Sequence, residues 1–292
     1  MNEQIKPLKV LLIEPTNHCN LRCIHCPVNR EMKRPKGFLD FKIFKDIIDQ
    51  VPNLKRLSLN GWGESLLHKD LFKMIDYAKN KGTETILFAT NGSLVQGDIV
   101  EKTLNSPLDI IEFSLDGFAE TYEKIRGHSW SKILDIIENF LQRRRLLNVR
   151  VKVGLVFVVN EETHKDVGEF IKYWKNKVDY IKMQPMVLKK QRTTDCPEFF
   201  GKHDGRLIIW WDGRITLCCA DMEGAFALGN VRYDKLQEVW NGEKLNLLRE
   251  KVRLGNYPDL CEYCGEYEHE NAPKRLVVDL HKENIKILSR QQ

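Results

Sequence analysis

Residues 8–26 read LKVLLIEPTNHCNLRCIHC, an apolar run that ends at Glu14-Pro15 and then delivers Cys19, Cys23 and Cys26 within eight residues. The run from Leu8 to Glu14 predicts a strand, so the three thiols belong to the loop that leaves it. Three thiolates so spaced can hold three corners of a cubic iron–sulfur cluster and leave its fourth iron without a protein ligand. An electron-transfer ferredoxin closes that corner with a fourth cysteine, whereas an open corner admits a substrate or cofactor. A zinc site completed by His18 or His25 is the alternative that the same residues permit.

Working outward from this strand, the chain alternates strand and helix patterns, which implies parallel strands joined by helical crossovers. Further strands are predicted over Leu54 to Leu59, Glu84 to Ala89, Asp109 to Leu115, Val149 to Val159 and Tyr180 to Gln184. Between them, Phe41, Phe44, Ile48 and Val51 mark one helix face, and Trp130, Ile133, Leu134, Ile137 and Leu141 another. Strands such as VKVGLVFVV lack clean alternation, as expected of a parallel sheet covered on both faces, whose active groups gather at the carboxyl ends of its strands. Those ends carry small and polar residues: Asn60-Gly-Trp-Gly-Glu-Ser, Thr90-Asn-Gly, Ser114-Leu-Asp-Gly and Met183-Gln-Pro.

After about Val187 the texture changes to short strands and turns. LIIWWDGRITLCC predicts a hairpin turning at Asp212-Gly213, and Leu236, Val239 and Trp240 mark a helix beginning near Asp234. Cys196, Cys218, Cys261 and Cys264 suffice to ligate a second cluster around a module too small to bury much core unaided. A zinc ribbon is the alternative, since such thiolate sets take either. Eight cysteines less seven ligands leaves one over. Residues 265–292 form a charged tail with no assigned element.

CNLRCIHC resembles the CxxxCxxC signature of radical S-adenosylmethionine (SAM) enzymes. Leu59-Asn-Gly-Trp-Gly63-Glu64 resembles that family's Gly-Gly-Glu turn, with Trp62 as a departure. Thr90-Asn91-Gly92 and Ser114-Leu-Asp116-Gly117 resemble its third and fourth strand-end motifs, and Arg126 matches a common neighbouring arginine. The resemblance implies a partial (β/α)6 TIM barrel, a 4Fe-4S cluster on Cys19, Cys23 and Cys26, and SAM held by Gly63, Glu64, Asn91, Ser114, Asp116 and Arg126. It further implies that His25 seats adenine and that the fifth and sixth strands, near Val156 and Met183, line the same pocket. The later cysteines, with Leu228-Gly-Asn230 and Val239-Trp240-Asn, resemble a SPASM or twitch auxiliary-cluster extension and imply one further 4Fe-4S cluster. Family spacing favours Cys218 as its ligand, leaving Cys219 either as a small apolar residue or as a hydrogen-atom donor; the two could exchange roles. The expected domains are 1–190 for the core, 191–267 for the auxiliary module and 268–292 for the tail.

Composition bounds the rest. With 42% apolar and 30% charged residues the chain is an ordinary globular sequence, and its longest apolar run, Val153 to Val159, is strand-sized, so no membrane partner is expected. A net charge of +5 is mild, and the clusters Arg143-Arg144-Arg145 and Lys189-Lys190-Gln191-Arg192 are too short for a nucleic-acid stripe, although Lys190 and Arg192 could meet an anionic substrate. The N-terminus lacks signal-peptide features, so a cytoplasmic location is expected. The expected activity is reductive SAM cleavage, then hydrogen abstraction from a small polar metabolite, a sugar or aminoglycoside, for epimerisation or dehydrogenation. An electron donor such as flavodoxin or ferredoxin would supply the cluster. Modification of a peptide or protein is the alternative, weakened by the 18 residues that precede Cys19, too few for a recognition domain. A non-catalytic electron-transfer or zinc scaffold is the third reading.

Overall fold

The computed structural model of the chain describes residues 7–185, 197–200, 205–258, 261, 276–279 and 284–287. In chain order its strands and helices are β1 (Leu8–Ile13), α1 (Phe41–Gln50), β2 (Arg56–Leu59), α2 (Leu71–Asn80), β3 (Thr85–Thr90), α3 (Asp98–Asn105), β4 (Ile110–Ser114), α4 (Glu120–Arg126) and α5 (Trp130–Leu147). There follow β5 (Lys152–Val159), α6 (Val167–Trp174), β6 (Tyr180–Pro185), α7 (Pro197–Phe200), β7 (Gly205–Ile209), β8 (Arg214–Thr216), β9 (Gly229–Asn230), α8 (Leu236–Asn241), α9 (Glu243–Arg253), β10 (Leu276–Asp279) and β11 (Asn284–Ile287). The six strands of the repeating region are β1 to β6, and the α/β class read from the sequence holds. Among the described residues no helix is long and apolar enough to cross a membrane.

Contacts divide the chain into two compact units: Met1–His18, Glu31–Ile86 and Leu188–Tyr267 form one; Cys19–Arg30, Leu87–Val187 and Glu268–Gln292 form the other. In the first unit β1 pairs in parallel with β2 on one side and β7 on the other, and β7, β8 and β9 continue antiparallel. The expected hairpin turns where predicted, because Gly213 at φ 87° lets its N–H reach the Trp210 carbonyl at 2.9 Å.

In the second unit β3, β4, β5 and β6 are parallel neighbours. Phe113 of β4 packs on Phe140 of α5, and Phe157 of β5 on Phe170 of α6, so the odd-numbered positions of β4 and β5 face the helices. β5 starts three residues later than the apolar run suggests. Asn148, at φ 50°, ends α5 in the left-handed conformation, and the Val149 N–H folds back to the Arg144 carbonyl at 3.4 Å. The tail is not structureless: β10 pairs antiparallel with β6 and with β11.

Candidate functional site

The cysteine loop of the second unit is fastened to a helix end. Gly127, at φ 63°, stops α4 and leaves Arg126 as its last residue, while the Ile24 N–H donates to the Ile125 carbonyl at 2.9 Å. Arg126 then donates through Nη1 to Cys23 Sγ at 3.8 Å and pairs through Nη2 with Asp116 Oδ2 at 2.6 Å. Asp116 is fully buried; its Oδ1 accepts the Val158 N–H at 2.7 Å, and His25 Nε2 lies 3.3 Å from Oδ2. Burial works against the charge on Arg126, but Asp116 and Cys23 more than offset it and hold its pKa above the usual arginine value. Burial also lowers the pKa of His25 below its ordinary 6.5, against the pull of Asp116, with Arg126 and Arg30 acting on the same side as burial.

The other end of the loop is held from β3. Asn91 Nδ2 donates to Asn20 Oδ1 at 2.9 Å and reaches Cys19 Sγ at 4.0 Å, while Asn20 Nδ2 donates to Ser93 Oγ at 2.8 Å. The Cys26 N–H closes a turn on the Cys23 carbonyl at 3.1 Å. Thus His25, Asn91, Asp116 and Arg126 are brought together with Cys19 and Cys23. Among the described residues Arg126 Nε and His25 Nδ1 are buried with no hydrogen-bond partner. Sulfurs that already accept N–H groups, one guanidinium and unused nitrogens are a donor set that fits an anionic cluster. Among the described residues no three His, Cys, Asp or Glu side chains stand close enough to share one ion. A cubic cluster instead asks each thiolate for its own iron.

Strand register divides the remaining expected residues. Ser114 pairs with Val156 and Val156 with Lys182, so these three share the face opposite the helices, whereas Met183 pairs with Phe157 on the helix side. Val156 and Met183 therefore do not face the same space. Sequence reading missed the polar residues on the face of Val156: Tyr180 donates to Glu112 Oε1 at 2.8 Å and Lys182 lies 3.4 Å from the same oxygen. Gly154 makes room for them, since a Cβ there would lie 2.3 Å from the Tyr180 ring. Their only sequence signal is a charged or hydroxylated residue at alternate positions of an otherwise apolar strand.

In the first unit the Gly61–Glu64 turn is packed against the exit of β1. A Cβ on Gly63 would lie 2.3 Å from the Thr16 carbonyl, and the Glu64 N–H donates to the His18 carbonyl at 2.8 Å. Glu64 is 2% exposed, and its carboxylate accepts the Leu66 N–H at 3.2 Å. Asn60 Oδ1, next to this turn, is a buried acceptor with no partner among the described residues, which fits an ammonium donor such as the amino group of SAM. Beneath the turn lies a second missed feature. Buried Glu14 accepts both Arg34 Nη1 at 2.7 Å and Nη2 at 2.9 Å, then the Trp62 N–H at 3.1 Å and the Trp211 N–H at 3.3 Å.

Of the auxiliary cysteines, Cys196 and Cys264 lie outside the described residues, as do Lys190 and Arg192. Cys218, after β8, is hydrogen-bonded to its neighbour Cys219; that bond, then burial, then the charges of Cys219 and Glu198 push its pKa well above the ordinary thiol value. The Cys261 N–H donates to the Pro258 carbonyl at 2.8 Å.

The model of the radical SAM superfamily matches residues 13–173, and that of an iron–sulfur cluster-binding domain, SPASM, matches residues 199–265. The chain is 22% identical to the tungsten-containing aldehyde ferredoxin oxidoreductase cofactor-modifying protein of Pyrococcus furiosus, over 88% of this chain and 87% of that one. The next curated relatives are matched over only 34–40% of their own length. Among solved structures, BtrN in complex with AdoMet and 2-DOIA superposes with a TM-score of 0.63 at 15% identity, covering 90% of this chain and 95% of that one. SuiB of Streptococcus suis bound to its precursor peptide SuiA gives 0.67 at 15%, covering 89% and 71%. At such identities these likenesses speak for the fold.

Proposed function

We propose a reaction for this chain on one premise: it belongs to the radical SAM superfamily, with a SPASM domain after the core. Membership brings a 4Fe-4S cluster, auxiliary cluster chemistry and SAM, and the fold is the family's partial (β/α)6 barrel. When bound, the reduced cluster and SAM supply a 5′-deoxyadenosyl radical that removes a hydrogen atom from substrate. The proposed substrate is a small polar metabolite, a sugar or aminoglycoside, and the outcome inversion or dehydrogenation at the abstracted carbon. An electron donor such as flavodoxin or ferredoxin completes the system.

The observation that carries the reading is the Cys23–Arg126–Asp116–His25 network. In it Arg126 offers one amino group to the Cys23 sulfur while Asp116, fixed by the Val158 N–H, keeps the guanidinium oriented. Asp116 thus acts through Arg126 and His25 rather than as an open carboxylate. In the first unit, Gly63, Glu64 and Asn60 offer a turn, a carboxylate and an unused acceptor to an ammonium group. The contact between Cys218 and Cys219 supports a ligand beside a hydrogen-atom donor, and so leans toward inversion by Cys219. The near-complete coverage of BtrN, whose complex holds 2-DOIA, supports a small molecule. The SuiB complex with SuiA supports peptide modification as the second reading.

Anaerobic reconstitution tests this. Wild type is expected to bind about eight irons and Cys23→Ala about four, with 5′-deoxyadenosine formed by wild type alone. Sugars deuterated at each carbon should then pass label into 5′-deoxyadenosine. Label arriving only from peptide substrates would favour the second reading, and no SAM cleavage by wild type would sink both.

A further inference from the structure

The cysteine loop of the second unit reaches the surface between two of its own cysteines. Ile24 is 42% exposed, while Cys23 beside it is only 6% exposed. The backbone of Ile24 is engaged on both sides: its N–H donates to the Ile125 carbonyl at 2.9 Å, and its carbonyl accepts Arg30 Nη1 at 2.7 Å. The loop thus holds an apolar side chain at the surface on a fixed backbone. A single exposed apolar residue is ordinary, so its meaning rests on what surrounds it.

Charge surrounds it. Arg22 and Arg30 are both exposed, and no Asp or Glu occurs between Cys19 and Arg30. Elsewhere in this unit Arg126, Arg143 and Arg144 each close on a carboxylate, but among the described residues Arg22 and Arg30 close on none. On α4, which holds this loop, the carboxylate of Glu123 accepts the Trp130 N–H at 2.8 Å and Lys124 pairs with Glu162 at 2.8 Å. An apolar side chain with arginines beside it is the chemistry of a protein interface, and its sign selects an acidic partner.

The reaction proposed above needs such a partner. One electron must enter the cluster from outside, and transfer falls off steeply with distance. Cys23 is too buried to be touched, so the shortest way in is through the loop itself, where Ile24 follows Cys23 in the chain. We infer that Arg22, Ile24 and Arg30 form the docking surface for an acidic flavoprotein of the flavodoxin type, with Ile24 against the apolar edge of its flavin and the two arginines against its carboxylates. One electron leaves the flavin hydroquinone anion, which becomes the neutral flavin radical, and lowers the charge of the cluster by one; no proton moves. This rests on the reading of Cys19, Cys23 and Cys26 as the ligands of that cluster.

The test uses the full reconstituted chain and an acidic flavodoxin. Affinity for the oxidised flavodoxin is measured by calorimetry. Reduction by its hydroquinone is followed by rapid-freeze electron paramagnetic resonance, the loop's cluster being recognised by the change in its signal when SAM is added. Arg22→Glu with Arg30→Glu is expected to weaken binding and slow reduction at least about tenfold at low salt, whereas dithionite, which needs no docking, should reduce variant and wild type within about twofold. Wild-type affinity should fall steeply between about 20 and 300 mM salt, and that of the variant should not. Ile24→Ser should cost about threefold in affinity with the salt dependence unchanged. Arg145→Glu with Arg150→Glu changes the net charge equally on another exposed stretch and should change neither quantity. Equal losses in this control pair, unchanged binding in the first pair, or slowing by dithionite as well would each overturn the inference. So would losses seen with a ferredoxin but not with flavodoxin. If Arg30→Glu costs the protein its cluster, Arg22→Glu alone decides on the same measurements. A wild-type chain that holds no reducible cluster on this loop overturns instead the reading beneath, and the inference with it.

Discussion

Glu14 and Asp116 are both buried carboxylates just beyond the end of a parallel strand, and both are paired with an arginine, but their surroundings differ. Around Glu14 every valence is spent: two bonds from Arg34 and two backbone N–H groups on the carboxylate, with Arg34 Nε on the Met222 carbonyl at 2.7 Å and the guanidinium over Trp210. Around Asp116 the network is left unfinished, with Arg126 Nε and His25 Nδ1 buried and unmatched among the described residues and Arg126 touching the Cys23 sulfur. Native interiors satisfy nearly all buried polar groups. A closed network therefore marks scaffold, and an unfinished one in a cysteine loop marks a place built for a further partner.

Breaking the closed network should give the largest effect on folding. Glu14→Ala leaves Arg34 buried and unpaired, with an expected loss of about 3–5 kcal/mol in chemical denaturation. Glu14→Leu with Arg34→Met should recover most of it. SAM cleavage per folded molecule should fall less than stability does; a loss of cleavage with full stability would contradict the scaffold role.

Breaking the open network should do the reverse. Arg126→Met is expected to reduce 5′-deoxyadenosine formation about 100-fold, or about 2.7 kcal/mol of barrier. Adding Asp116→Asn should restore thermal stability by removing the stranded charge without restoring cleavage. Activity that returned together with stability would make Arg126 scaffold like Arg34.

The smallest effect sharpens the comparison within the first unit. His68 is 5% exposed, and its Nε2 lies 2.8 Å from the Leu39 carbonyl while its Nδ1 accepts the Asp70 N–H at 3.1 Å, which fixes a neutral ring. Burial lowers its pKa below 6.5, opposed by the Leu39 carbonyl. Since the unfolded chain binds the proton more readily, stability should fall as pH drops below about 6.5 and level off once the folded histidine protonates. His68→Gln should remove that slope in urea titrations at a series of pH values; an unchanged slope would assign it elsewhere.

The parallel strands were legible because long apolar runs with helical spacers leave few alternatives, and the observed strand limits differ from the expected ones mostly by one or two residues. The cysteine triplet was legible because close spacing alone brings its thiols onto one loop. The Asn91, Asp116 and Arg126 motifs were readable as a set, but not their division of labour. Nothing in Ser114-Leu-Asp116 says that the aspartate turns inward to Val158 and Arg126. Glu14 was read as a strand end, and Arg34 not at all, because 20 residues separate them in the chain.

The sequence by itself determined the α/β class, the order of the strands and the loop that carries Cys19, Cys23 and Cys26, because these depend on periodicity and on neighbours within a few residues. Only the tertiary structure decided that β10 lies on β6, that Val156 and Met183 face opposite ways, that Glu14 is closed by Arg34, and that Arg249 is buried under the Phe199 and Trp240 carbonyls. Each of these depends on which distant groups share a dielectric and a register, and burial sets the worth of a charge or a donor only once the chain has folded around it.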